Sequence, residues 1–136
     1  VNKISRMWKD AGGRTASLSP EEHDKTVAVT SHLVHIAAAM LTSAVLDCGK
    51  DEFQRRLRGC AGGFRDSTRV AASNPEMWED IIELNSANII PHLRGLEKRV
   101  CEIRKCLEAR EFGKAGEILK KAAELKKKAD KARPIH

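Results

Sequence analysis

The chain has 136 residues, a formal net charge of +6, 4% aromatic residues and no tyrosine. That length suffices for one domain with a real core, and the abundance of Ala, Leu, Glu, Lys and Arg favours helices. No uninterrupted apolar run long enough to span a bilayer and no signal peptide are visible, so neither a membrane span nor secretion is expected.

Residues 1–11 read as a helix with Ile4, Met7 and Trp8 on one side and Gly12-Gly13 as its stop. Arg14–Leu18 reads as a short strand which, without sheet neighbours in this chain, is expected to be irregular or paired with another chain. A helix and strand leading into an otherwise helical chain suggest that residues 1–18 are the trailing edge of a preceding α/β domain, with residues 19–136 forming an all-helical domain.

Ser19-Pro20-Glu21-Glu22 is a helix start: Ser19 caps, Pro20 fits the first helical position and Glu22 closes a capping box. The helix is expected to run to Cys48 and stop at Gly49. Its later part, Leu33–Leu46, is apolar nearly all round, which asks for burial on several sides and so for a partner chain. At 100° per residue, Asp24, Ser31 and His35 fall within about 20° of one line. Ser31 and His35, one turn apart, are placed to share a site, with His32 and His23 on other faces. The bland alternative is a satisfied core histidine. His32 and His35 at i, i+3 lack a third ligand nearby in sequence, so no metal site is expected.

Asp51–Arg58 reads as a short helix with Phe53 and Leu57 inward. Gly62–Trp78 follows, and the rest of the chain is organised around it. Two glycines permit a tight backbone, a short helix carries Arg65, Asp66 and Arg69, and Asn74-Pro75 caps and starts the next helix. Asp66 and Arg69 share a helical face, which by itself fits a surface ion pair at a helix corner. A long helix then runs from Pro75 to about Ala109, with a seam of Trp78, Ile82, Asn85, Ile89, Leu93, Leu96, Val100, Ile103 and Leu107. Asn85 in that seam needs a hydrogen-bond partner. Pro91 is expected to kink the helix or open a turn near Ala87, with Gly95 loosening the same region.

Arg110–Gly113 reads as a turn and Pro134 as the end of a final basic helix. Lysines 114, 120, 121, 126, 127, 128 and 131 give that helix its charge. Base-stacking aromatics are missing there, and Ile118, Leu119, Ala122, Leu125 and Ala129 mark an apolar side, so a packed, solvated helix is favoured over nucleic-acid binding. Cys48, Cys60, Cys101 and Cys106 make no C-x-x-C pair, which fits reduced thiols in a cytoplasmic protein better than zinc or disulfides. No G-x-G-x-x-G after a strand, P-loop or nucleophile elbow occurs. An arginine, a few histidines and a tryptophan in a helical frame suit gripping an anionic substrate, with reactive groups elsewhere. A helical interaction module with a basic docking helix is the alternative.

Four pieces in order carry a family resemblance: Ser19-Pro20-Glu21-Glu22-His23-Asp24, Ser31-His32-Leu33-Val34-His35, Gly62–Ala71, and Met77-Trp78 with Ile81 and Asn85. Together they resemble the C-terminal helical domain of prephenate dehydrogenase. Departures are Val34, where the family often has Pro, and Ala61, where it often has a third glycine. The resemblance implies an all-α domain intertwined as a homodimer. It implies NAD-dependent oxidative decarboxylation of prephenate, or arogenate in close relatives, on the route to tyrosine. NAD and the catalytic histidine would belong to an N-terminal Rossmann domain, so this chain alone is expected to be inactive. By motif, Arg69 would bind a substrate carboxylate and Asp66 would order it. His35 would contact the substrate, with His32 and Ser31 close by, and Trp78 would reach the cleft of the partner subunit. Asp24 would line or support the cleft.

Overall fold

A computed structural model describes residues 2–132. The notion that Pro134 ends the last helix lies outside them. The chain divides into two compact units, Val1–His92 and Leu93–His136.

In the first unit, α1 (Asn2–Asp10) ends where the sequence predicts. Gly12 takes φ 83°, and the Gly13 N–H donates to the Trp8 carbonyl at 2.7 Å while that of Gly12 donates to Lys9 at 2.9 Å. This pair of bonds satisfies carbonyls that the helix leaves open. Residues 14–18 form no strand and run irregularly, as expected of a strand without sheet neighbours. Among the described residues there is no strand for them to pair with, and an isolated strand has nothing to satisfy its backbone.

Helix α2 (Pro20–Val27) starts at the predicted capping box. The Glu22 N–H donates to Ser19 Oγ at 3.2 Å, and the Ser19 N–H donates to Glu22 Oε2 at 2.9 Å. The helix expected to reach Cys48 runs on from Pro20 but ends at Leu46, and it is not α-helical throughout. A π-helical turn, Ala28–His32, separates α2 from α3 (Leu33–Leu46), and the Leu33 N–H donates five residues back to the Ala28 carbonyl. Thr26 and Thr30 hydroxyls donate to the carbonyls one turn earlier, Glu22 at 2.7 Å and Thr26 at 2.8 Å, a pattern that bends helices. Helix α3 stops at Leu46, and Gly49 is not its stop but the extended residue that opens α4.

The segment Pro20–Leu46 has a mean hydropathy of 1.6 in its most apolar window, and by length and composition it is apolar enough to cross a membrane. This corrects the expectation that no such stretch exists. Here α3 packs against α4 (Lys50–Gly59), α5 (Gly62–Thr68) and the 3-10 turn Arg69–Ala72. Arg56 fastens the α3–α4 corner: its Nη1 donates to the Val45 carbonyl at 2.9 Å while its Nε donates to Glu52 Oε1 at 2.7 Å. In α4, Phe53 is half-buried as predicted, but Leu57 is exposed. Gly62 and Gly63 are ordinary helical residues with open space around them, so no tight backbone demands them. Asn74 caps α6 as predicted, with Oδ1 accepting the Glu76 N–H at 2.8 Å.

Helix α6 runs from Pro75 to Glu108 with Pro91 inside it. The predicted turn does not open, although Pro91 lacks the N–H that would meet the Ala87 carbonyl. In the second unit, α6 ends with Arg110 at φ 58°. The Glu111 N–H donates to the Cys106 carbonyl at 2.8 Å and that of Arg110 to Leu107 at 3.1 Å, the same closing motif as in α1. The turn is shorter than predicted, since α7 (Phe112–Ala132) already includes Gly113.

The described core consists of small pieces. Ala28, Ala38 and Ile89 are buried in the first unit and Ala115 in the second. Val34, Met40, Leu41, Leu84, Val100 and Leu107 are exposed. Among the described residues, large apolar side chains thus lie more on the surface than inside.

Candidate functional site

The π turn decides which side chains meet. On a regular helix Ser31 and His35 would share a face. The extra residue in the turn shifts what precedes it by about 100° relative to α3. Ser31 and His32, inside the turn itself, line one cavity and His35 another.

Trp78, in the first turn of α6, connects the two. Its indole stacks on His35 with ring centres 3.5 Å apart and planes within 8°. His32 meets the same indole edge-on, at 5.8 Å and 90°. The indole N–H is buried with no acceptor among the described residues. Burial lowers the pKa of His35. That of His32 is lowered first by burial and then by nearby His23, against a smaller opposing effect of Asp24. Both rings are thereby biased toward the neutral form.

The first cavity, about 670 Å³, has His35, Trp78 and the side chains of Ile36, Met40 and Ile82 as walls, with Glu79 and Glu83 also lining it. The second, about 560 Å³, is lined by His23, Asp24, Ser31, His32, Ile81 and Asn85 among others. His23 Nδ1 and Asp24 Oδ1 are 3.0 Å apart. Five of the predicted residues thus gather at two cavities that share one aromatic cluster.

Arg69 and Asp66 do not join them. Arg69 begins the 3-10 turn, Asp66 lies on α5, and both are exposed and line neither cavity. The expected ion pair between them is not found among the described residues. Arg69 has no hydrogen-bond or ion-pair partner among the described residues. Sequence reasoning placed Asn85 in the seam but not at the site; a lone amide in an apolar seam was the available signal. Glu79 and Glu83 carried no such signal. No group of three or more His, Cys, Asp or Glu among the described residues is placed to hold a metal. The four cysteines are half-buried free thiols.

Residues 19–121 match the family described as prephenate dehydrogenase, dimerization domain. The chain belongs to this family. A cyclohexadienyl dehydrogenase from Zymomonas mobilis is 42% identical over 90 residues, covering 66% of this chain and 31% of that protein. A Bacillus subtilis prephenate dehydrogenase is 34% identical over 108 residues, covering 79% of this chain and 29% of that protein. The crystal structure of prephenate dehydrogenase from A. aeolicus, in complex with hydroxyphenyl propionate and NAD+, aligns over 95% of this chain and 45% of that one, with a TM-score of 0.78 and 31% identity. A Synechocystis arogenate dehydrogenase has the same fold, with a TM-score of 0.79, over 94% of this chain and 46% of that one at 20% identity. This member of the prephenate dehydrogenase family spans about a third of the length of the curated relatives it matches.

Proposed function

We propose that this chain is the helical, C-terminal part of a cytoplasmic NAD-dependent dehydrogenase that oxidatively decarboxylates prephenate or arogenate. In this reading it supplies the homodimer interface and one wall of the substrate cleft. The observation that carries the reading is the His35–Trp78–His32 cluster, set at two cavities within the matched segment. Residues 1–18 are read as the trailing edge of a nucleotide-binding domain. Among the described residues there is no strand, and so no strand–Gly-rich turn–helix of the kind that grips a dinucleotide. The residues here do not fit NAD, and its site is assigned to that other domain.

What this chain contributes is binding and orientation. The aromatic cluster offers flat apolar walls to a ring. Ser31 and His32 offer hydrogen bonds. Arg69, unpaired and exposed, offers a fork that matches a carboxylate, with Asp66 near in sequence to order it once the cleft is complete. The acceptor that the Trp78 N–H lacks would come from a ligand or from the partner subunit. The exposed apolar side chains of α3 and α6 would be the dimer surface.

The test uses the full-length enzyme. NADH formation is followed with prephenate and with arogenate, in the wild type and in Arg69→Ala. Loss of a charge-assisted hydrogen bond of about 1.5–3 kcal/mol raises KM for the substrate by about 10- to 150-fold and leaves KM for NAD unchanged. Arg69→Lys recovers part of the loss. An equal loss toward substrate and NAD would remove the carboxylate role, and turnover of neither substrate would remove the proposed reaction. Light scattering at micromolar concentration checks the dimer, and a monomer there argues against the interface.

A further inference from the structure

Asn85 is 6% exposed, in the seam of α6. Its Nδ2 lies 2.9 Å from the Asp24 carbonyl oxygen and 3.2 Å from His32 Nδ1. Its Oδ1 accepts from Asn88 Nδ2 at 2.8 Å. These partners fix which way the amide faces. The Asp24 carbonyl can only accept, so the group against it is the NH2. Turned over, the amide would set oxygen against oxygen there and NH2 against the NH2 of Asn88. One Nδ2 hydrogen goes to Asp24 and the other is left for His32. Nδ1 of His32 is then an acceptor, and the neutral ring carries its hydrogen on Nε2.

We infer that Asn85 is a positioning residue that holds His32 as the neutral Nε2–H tautomer, so that His32 meets a carboxylate-bearing substrate as an uncharged hydrogen-bond donor. The nature of the substrate rests on the function proposed above; the tautomer does not. The surroundings agree with the assignment. A proton added at Nδ1 would drive an N–H into the amide NH2. The ionisable groups facing His32 are His23 and Asp24, both from α2. From α6 it meets Trp78 and Asn85, which carry no charge. The Asp24 bond serves a second end: it ties α6 to the carbonyl just ahead of the π turn, and so fixes the backbone that carries His32.

The experiment is nitrogen-15 NMR of labelled histidine in the full-length protein, with His32→Gln identifying the signal. The Nε2–H coupling pattern is expected at neutral pH. A His32 carrying its hydrogen on Nδ1 overturns the inference without any Asn85 variant. In Asn85→Asp the carboxylate accepts instead of donating, so the tautomer is expected to flip to Nδ1–H and the His32 titration to move to higher pH. At a pH above that titration, where the ring is neutral, KM for the substrate rises by about tenfold, the scale of one lost hydrogen bond, with kcat changed much less. An unchanged tautomer and titration in a folded Asn85→Asp protein also overturn it. A protein with the expected tautomer that turns over neither prephenate nor arogenate would refute the proposed function and leave the Asn85 assignment standing.

Discussion

Replacing Trp78 with Leu removes a side chain that both site histidines touch. The indole makes a parallel stack with His35 at 3.5 Å and an edge contact with His32 at 5.8 Å. Aromatic pairs of this kind contribute about 0.5–1.5 kcal/mol each beyond the area they bury, so the two together are worth about 1–3 kcal/mol. Trp78 is only half-buried, and Leu still covers part of the surface, so the area lost adds little to that sum. For a chain of this size 1 kcal/mol corresponds to roughly 4 °C in Tm, which gives a drop of about 4–12 °C. Protomer concentration must be held fixed, because self-association would add its own dependence. Trp78→Phe keeps a stacking face and is expected to lose less than Trp78→Leu. A double-mutant cycle with His35→Leu isolates the stack, with an expected coupling of about 0.5–1.5 kcal/mol. A coupling indistinguishable from zero, with each single variant folded, would refute a stabilising role for the stack.

Arg56→Ala frees the carbonyl end of α3 and is expected to cost about 0.5–1.5 kcal/mol in a urea titration; a change below the error of the titration would deny the clasp. Arg110 sits at φ 58°, where a Cβ is strained, so Arg110→Gly is expected to stabilise the protein by up to about 1 kcal/mol, read as a higher denaturant midpoint. His32 and His35 both have folded pKa values below the ordinary imidazole value, so the unfolded chain takes up protons first as pH falls. Stability is therefore full above about pH 6.5 and declines as pH drops through and below that value. His35→Gln should flatten the decline, and a stability that rises toward acid would contradict the burial of both rings.

Local chemistry that lies in neighbouring residues was legible in the sequence. Ser19, Asn74 and Gly12 do at the helix ends what their types dictate, because a cap involves only three or four adjacent positions. The demand of Asn85 for a partner was legible too, but not the identity of the partner, which lies 61 positions away at Asp24. The π turn was not legible. One residue of surplus leaves the apolar pattern of Leu33–Leu46 intact and simply rotates what comes before, so a uniform 100° wheel put Ser31 with His35. The carboxylate role of Arg69 came from motif alone, and in the single chain its guanidinium faces solvent.

That surplus residue gives the fold an unusual vulnerability to a change in length rather than in kind. Deleting one residue within Ala28–His32 would restore an ordinary α-helix that every local propensity tolerates. It would also turn His23 and Asp24 away by about a quarter of a circle, taking the Asp24 carbonyl from Asn85 and dismantling the second cavity while the first stayed whole. A change of one codon in length within that turn is therefore enough to lose or regain the second cavity in a single step.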